Sequence, residues 1–183
     1  MSKKISTKEL VTTALLIALG IIIPTTFGFL RVVLPPAFTA TLLAHVPIFI
    51  AMFISPVSAI CTAIGTTLGF ACSGLDPVVT ARAGSHIVFA IVGAVMIKKK
   101  CNLVSVGIVT ALLHALFEAL TVYLFLAMGW SQGKADTTYF SIAFYTTGIG
   151  TILHDAIDYV IACGIGTALS QAKLIPALPK IFK

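Results

Sequence analysis

The stretch Thr13–Ile23 reads TALLIALGIII and contains no charged residue. Three lysines precede it, and Pro24 follows it directly. An apolar run next to basic residues is typical of a helix that enters a lipid bilayer. Ala14 and Ala18 are four residues apart, so they lie one above the other on one side of such a helix. Small residues at this spacing let two membrane helices approach closely, within one bundle or between two proteins.

The composition of the whole chain also indicates a membrane protein. Of its 183 residues, 58% are hydrophobic and 10% are charged, and the mean hydropathy is +1.08. Soluble domains carry about 25% charged residues, so the composition argues against an ordinary soluble protein. The first apolar run lacks a small-x-small cleavage site, and we expect no cleaved signal peptide. The length predicts a single transmembrane domain, residues 1–183.

Six apolar segments predict an all-α integral membrane protein with a bundle of six transmembrane helices. The predicted spans are Glu9–Thr25, Phe38–Ile54, Val57–Ser73, Thr80–Ile97, Leu103–Met128 and Ser141–Ser170. Several are shorter than the roughly 20 residues that cross a bilayer core, which favours tilt or non-helical backbone buried in protein. Three longer connections share one end of the bundle, namely Phe27–Ala37, Gly74–Val79 and Gly129–Tyr139.

Basic residues are distributed unevenly between the two ends of this bundle. With six spans both termini share an end, which carries nine of the 12 lysines and arginines. The other end carries three, namely Arg31, Arg82 and Lys134. The positive-inside rule therefore predicts cytoplasmic termini and longer loops that face outward, where they can cover a small-molecule site. Because the charges lie at the ends of spans, the net charge of +6 does not indicate a nucleic-acid partner.

Ionisable residues inside the spans indicate a polar pocket. Three pairs of such residues are four positions apart, so the members of each pair share a helix face. The pairs are Arg82 with His86, His114 with Glu118, and His154 with Asp158; Asp155 lies beside the last pair, and His45 lies in the second span. Because ionisable groups are costly in hydrocarbon, they face a bundle interior or a wet cavity. The sequence therefore predicts one shared polar interior.

Several functions fit such an interior. The guanidinium of Arg82 can bind a carboxylate or phosphate through two hydrogen bonds. Histidines and carboxylates can bind a ring nitrogen, a hydroxyl or an amine. In a purely structural alternative, Glu118 holds His114 and Asp158 holds His154 without any ligand. A proton relay is a further alternative, because chains of histidines and carboxylates carry protons inside membranes.

Motifs for enzymatic chemistry are weak or missing. Clusters of histidine, glutamate and aspartate can bind divalent cations, which makes a metal site an alternative. The pairs lack a His-Glu-x-x-His arrangement, and the four cysteines form no Cys-x-x-Cys pair, so we predict no metal site. Ser85 and His86 are adjacent and point in different directions on a helix, which argues against a nucleophile beside a base. No Walker lysine motif is present. We predict no catalytic residue, no enzymatic activity and no cofactor.

The short spans, the cytoplasmic termini and the Ala14-x-x-x-Ala18 pair of the first helix resemble the S components of energy-coupling factor (ECF) transporters. S components are small proteins of the cell membrane that bind a vitamin or related micronutrient. They deliver it through one transmembrane T component and two ATPases. The resemblance implies that Ala14 and Ala18 dock on the T component and that the loaded protein topples in the membrane. It also implies that the outer loops and the outer halves of the later spans form the substrate pocket.

Within that family, three segments are most similar to proteins of niacin uptake. They are LPPAFT from Leu34, HVPIFIAMFISP from His45 and GTTLGF from Gly65, and the later RAGSH from Arg82 fits the same subgroup. Nicotinate carries a carboxylate and a ring nitrogen, so Arg82 and a histidine match both of its polar ends. Pantothenate, cobalamin and a queuosine precursor stay open as alternative ligands.

The main rival class is a self-sufficient, proton-coupled secondary transporter that uses His154, Asp155 and Asp158. Such carriers often contain inverted repeats and interrupted helices, and we find no convincing repeat in six spans. A membrane-embedded enzyme is a second rival.

Overall fold

Six helices and one β-hairpin make up the part of the chain that the computed structural model describes, residues 5–34, 38–129 and 141–181. The helices are α1 (Thr7–Thr26), α2 (Val46–Ile54), α3 (Pro56–Cys72), α4 (Pro77–Lys98), α5 (Leu103–Ala127) and α6 (Ile149–Gln171). The hairpin consists of β1 (Arg31–Leu34) and β2 (Phe38–Thr41), and a 3-10 turn, Gly28–Leu30, precedes it. A π-helical segment, Ile142–Gly148, runs directly into α6.

Polar side chains at the helix starts explain where the helices begin. Ser55, Asp76 and Asn102 precede α3, α4 and α5, and each accepts a hydrogen bond from a backbone N–H two or three residues further on, at 2.8–3.0 Å. Such caps satisfy donors that the first helical turn leaves without a partner. Proline occupies the first helical position after Ser55 and after Asp76, where its missing N–H costs nothing.

The short helix α2 lies at the centre of the bundle. All of its residues except the last are buried, and Phe49 and Ala51 are 0% exposed. A helix that is apolar on all sides is buried, and α2 contacts α1, α3, α4 and α6. Its nine residues span about 14 Å, less than half of a bilayer core of roughly 30 Å. Therefore α2 does not cross a membrane by itself.

The predicted second span, Phe38–Ile54, is wrong as one continuous helix. Its first residues form β2, which pairs antiparallel with β1 so that Arg31 lies opposite Thr41. A turn follows, and the helix begins only at Val46. Phenylalanine and threonine suit a strand, and hydrophobicity alone does not distinguish a buried strand from a buried helix. The other five predicted spans coincide, to within three residues, with α1, α3, α4, α5 and the π-helical segment followed by α6.

Four helical segments are long and apolar enough to cross a membrane. They are α1, α4, α5 and the continuous helix Ile142–Gln171, whereas α3 is shorter, with 17 residues. The chain is therefore a mostly helical, multi-pass membrane protein. The count of six spans and the cytoplasmic side of the termini stay predictions. The predicted outer loop Gly129–Tyr139 lies, except for its first residue, outside the described residues.

Both described termini, the turn between α2 and α3 and the turn between α4 and α5 meet at one end of the bundle. Lys8 Nζ donates a hydrogen bond to the carbonyl of Lys173 at 3.2 Å, and the N–H of Leu103 donates to Lys180 at 3.0 Å. The Ser55 hydroxyl donates to the Glu9 carboxylate. The β-hairpin follows the far end of α1, so it lies at the opposite end.

A glycine lets α4 pack closely against α2 and α5. A Cβ atom at Gly93 would overlap Met52 Cε and would lie 2.7 Å from Thr110 Cγ2. We expect Gly93→Val to lower the free energy of unfolding by about 1–3 kcal/mol, the usual cost of overpacking. Thermal unfolding in detergent measures this change. Gly164→Val in α6 is the matched control, because a Cβ there meets nothing within 4 Å. Equal stability of the two variants would contradict the close packing.

Candidate functional site

All four histidines of the chain lie in one buried cluster. The ring centroid of His45 lies 4.7 Å from that of His86, 4.5 Å from that of His114 and 4.7 Å from that of His154. The rings come from four places in the fold. His45 directly precedes α2, and His86, His114 and His154 lie within α4, α5 and α6 respectively. None of these residues is more than 7% exposed. The polar faces that were predicted separately on successive spans therefore meet in one interior.

Glu118 is the centre of hydrogen bonding in this cluster. Its Oε2 accepts hydrogen bonds from Arg82 Nη2 at 2.9 Å and from Thr151 Oγ1 at 2.6 Å. Its Oε1 lies 3.2 Å from His86 Nε2 and 3.6 Å from His114 Nε2. The residue is 3% exposed. This one carboxylate therefore connects α4, α5 and α6.

The guanidinium of Arg82 connects the cluster to the β-hairpin. Its Nη2 donates to the Thr39 carbonyl at 3.0 Å, and its Nη1 donates to Thr39 Oγ1 at 3.2 Å. The Phe38 ring lies 6.0 Å from the guanidinium carbon, within cation–π range. The Nε atom is buried and has no hydrogen-bond partner among the described residues. Arg82 thus holds β2 against α4 and keeps one donor free.

Asp155 holds the ring of His114 from the side opposite to Glu118. The Nδ1–H of His114 donates to Asp155 Oδ1 at 2.6 Å. This contact joins α5 to α6 and is shorter than the distance of 3.6 Å between His114 and Glu118 on the same helix. The alternative without a ligand predicted that Glu118 holds His114. In the structure Asp155 makes the closer contact with His114.

Asp158 holds the turn between β2 and α2. Its Oδ1 accepts a hydrogen bond from the N–H of Leu43 at 2.8 Å, and its Oδ2 accepts from the N–H of His45 at 3.0 Å. Leu43 has φ of 72°, a conformation that L residues other than glycine adopt only at a cost of about 1–2 kcal/mol. His154 Nε2 lies 3.4 Å from Oδ2 without hydrogen-bond geometry. Asp158 therefore fixes the backbone at the start of α2 more directly than it holds His154.

A cavity of about 70 Å³ lies between this cluster and the β-hairpin. Five of the predicted site residues line it: His45, Arg82, His86, Glu118 and His154. The other two, His114 and Asp158, are not in its lining. One water needs about 10–15 Å³ of such volume, so the cavity has room for roughly five to seven waters. That space suits a small molecule with a single ring. A larger groove of about 1470 Å³ lies near the chain termini and contains none of these residues.

Three residues of the cluster were not among the predicted site residues. They are Thr39, Thr151 and Asp155, which bind Arg82, Glu118 and His114 respectively. A carboxylate in the middle of an apolar span was a usable signal for Asp155. The two threonines gave none, because threonine hydroxyls often bond to nearby backbone groups of their own segment.

The predicted docking residues lie on a different surface. Helix α1 buries Thr13, Leu16 and Gly20 against the bundle, whereas Ala14 and Ala18 are exposed. The pair therefore does not mediate packing within the described bundle, and it leaves a strip of small side chains on the outer face of α1.

The comparisons with known proteins extend over almost the whole chain. The chain is 35% identical over 181 residues to the niacin transporter NiaX of Lactococcus lactis subsp. cremoris (strain MG1363). The alignment covers 93% of this chain and 78% of that protein. The chain belongs to the family of niacin-type ECF S components. The family predicted from the sequence is thereby confirmed. No family model matches this S component, and no solved structure matches it.

Removal of the Asp158 carboxylate should destabilise the protein. Asp158→Ala leaves the buried N–H of His45 and the half-buried N–H of Leu43 without acceptors, and a buried group without a partner costs about 1–3 kcal/mol. Asp158→Asn keeps one acceptor oxygen and should lose less. Thermal unfolding in detergent measures both losses. The control is Asp76→Ala, which removes an exposed helix cap worth about 1 kcal/mol. Equal losses for the two alanine variants would show that Asp158 does not hold the turn.

Proposed function

We propose that this chain is the S component for nicotinate. It binds nicotinate from the outer side of the plasma membrane, and it delivers the vitamin through a T component and two ATPases. The observation that carries the proposal is the buried cluster of Arg82 and four histidines beside a small cavity. This cluster occurs in a chain that is 35% identical to a niacin transporter. The protein itself performs no chemistry on the vitamin.

The chemistry of nicotinate fits the free donors of the cavity. Its carboxylate accepts a charge-assisted hydrogen bond, and Arg82 retains a buried Nε–H without a partner among the described residues. At the other end of the molecule the pyridine nitrogen accepts one hydrogen bond. His154 lines the same cavity, and neither of its ring nitrogens has a partner in the described part of the chain. In the proposed pose the carboxylate lies at Arg82 and the ring nitrogen lies at His154.

The small volume of the cavity favours a vitamin with one ring. Pockets that enclose drug-sized ligands measure about 300–1,000 Å³, and this cavity measures about 70 Å³. Cobalamin is much larger than this cavity. Pantothenate and a queuosine precursor are the remaining alternative ligands, and the binding experiment below distinguishes them from nicotinate.

Arg82→Ala should weaken nicotinate binding by roughly ten- to a hundredfold. Hydrogen bonds to charged groups contribute about 1.5–3 kcal/mol, and about 1.4 kcal/mol corresponds to a factor of ten. Arg82→Lys should recover part of the loss, because an ammonium keeps the charge but does not place a donor where the Nε–H of Arg82 lies. Calorimetric titration of the purified protein measures the affinities. Arg31→Ala is the matched control, because Arg31 donates to the Pro24 carbonyl and does not line the cavity.

The same titration separates the candidate ligands. Wild type should bind nicotinate more tightly than uncharged nicotinamide, because only nicotinate carries the carboxylate. Equal affinities for the two compounds would contradict the contact with Arg82. Binding of pantothenate or of a larger vitamin, without binding of nicotinate, would replace nicotinate as the proposed ligand.

Two features support docking on a T component through α1. Ala14 and Ala18 are exposed on that helix, and small residues at this spacing permit close approach of a second helix. Among the described residues, six lysines lie at the end that carries the described termini, and only Arg31 and Arg82 lie towards the other end, which supports the proposed cytoplasmic side.

Ala14→Trp should abolish ATP-dependent uptake of labelled nicotinate and leave the affinity of the purified protein unchanged. The bulky ring would keep a partner helix at a distance. Val160→Trp is the control, because Val160 is 70% exposed on α6, away from the proposed contact. Uptake is measured in cells with and without co-expressed T component and ATPases.

Two outcomes would contradict the delivery step. Equal loss of uptake in both tryptophan variants would show that α1 has no special role in docking. Gradient-driven uptake by the chain alone would support the self-sufficient transporter.

A further inference from the structure

We propose that the histidine cluster binds one divalent transition-metal ion of the zinc type. The ligands are His86 Nε2, His114 Nε2 and Glu118 Oε1, with His45 as the fourth. The possible ligand atoms of these four residues all lie within 4.8 Å of one another, and all four residues are buried. His45, His86 and Glu118 also line the cavity, so the ion lies at its wall, but none of the contacts that support the ion involves a vitamin. The proposal replaces the expectation from the sequence that the chain has no metal site.

The distances between the ligand atoms match the edges of a tetrahedral site. Zinc binds histidine nitrogen and carboxylate oxygen at about 2.0–2.2 Å, so neighbouring ligand atoms lie about 3.3 Å apart. Glu118 Oε1 lies 3.2 Å from His86 Nε2 and 3.6 Å from His114 Nε2. The second distance is too long for a hydrogen bond, but it suits two ligands of one ion.

The surroundings of His114 prepare its Nε2 atom to bind a metal. Its Nδ1–H donates to Asp155 Oδ1 at 2.6 Å. In a neutral imidazole the other nitrogen then carries a lone pair. That nitrogen is buried, has no hydrogen-bond partner among the described residues, and faces an oxygen of Glu118 that also carries lone pairs. Metal-binding histidines typically donate their second N–H to a carboxylate in this way.

Glu118 is oriented in the same manner. Its Oε2 accepts hydrogen bonds from Arg82 at 2.9 Å and Thr151 at 2.6 Å, and this leaves Oε1 directed at the two histidines. A carboxylate ligand that is held through its second oxygen is a common feature of metal sites.

The charge balance of the cluster favours additional positive charge. One guanidinium, of Arg82, lies among three carboxylates, of Glu118, Asp155 and Asp158, and none of these residues is more than 6% exposed. With neutral histidines, one positive and three negative charges sum to −2. Such a net charge is costly inside an apolar bundle. An ion of charge +2 balances it.

A second set of residues, His45, His154 and Asp158, also lies close enough to bind an ion. We assign the ion to the first set for two reasons. Both oxygens of Asp158 already accept backbone hydrogen bonds. Neither nitrogen of His154 has a described partner that would orient the ring.

The test uses the full chain without a histidine tag, treated with EDTA, with the exposed Cys61 and Cys72 alkylated. Calorimetric titration with Zn²⁺ should show one ion per chain. Titration with Co²⁺ should give the visible absorption of a tetrahedral nitrogen and oxygen site. If folded protein that still binds nicotinate takes up neither ion, the metal proposal is wrong, and protonated histidines supply the positive charge. Zinc binding without nicotinate binding would instead contradict the proposed function and support the metal site.

Two variants test the choice of ligands. His86→Gln should weaken zinc binding at least about tenfold. Removal of a residue that only orients a metal ligand already lowers metal affinity by about that factor, and His86 is proposed as a ligand itself. His154→Gln is the matched control, because both histidines are 6% exposed and belong to the same cluster, and its zinc affinity should stay unchanged. The reverse pattern would overturn the ligand assignment. The cobalt spectrum of wild type tests the ligand type even if a variant does not fold. Absorption from a cobalt–thiolate bond would contradict a site of histidine nitrogen and carboxylate oxygen.

Discussion

The burial of charged groups in an apolar bundle is the constraint on which the rest of this structure depends. One guanidinium and three carboxyl groups are at most 6% exposed, namely those of Arg82, Glu118, Asp155 and Asp158. Each needs partners, because water is not available to them in the hydrocarbon region. The partners come from β2, from the turn after it, and from α4, α5 and α6. The same contacts therefore connect these elements and hold the hairpin over the cavity.

Sequence spacing predicted which side chains point inward, but not which of them bind one another. Residues four apart share a helix face, and that rule correctly directed His114 and Glu118 to the interior. The contact between His114 and Asp155 crosses from α5 to α6. It depends on the rotation and tilt of both helices, which a pattern within one segment does not contain. For the same reason the role of Thr151 gave no signal in the sequence.

The hairpin and the short helix α2 show a second limit of prediction from hydrophobicity. The segment from Phe38 to Ile54 is apolar enough for a span, yet it contains a strand, a turn and a helix of nine residues. Its turn is fixed by Asp158, which lies 113 positions after His45 in the chain. Such a long-range contact can select the turn because it satisfies two backbone donors at once. The local propensities of the turn residues do not select this turn by themselves.

The central claim is that the buried cluster holds nicotinate, and the most direct measurement is the identity of the small molecule that leaves the membrane with the protein. Wild type, purified in detergent from cells grown with a mixture of vitamins, is denatured, and the released molecules are identified and counted by mass spectrometry. The account predicts nicotinate in an amount close to that of the protein. Release of a different vitamin in that amount, or of nicotinate equally from wild type and from a variant that lacks the Arg82 guanidinium, would contradict it.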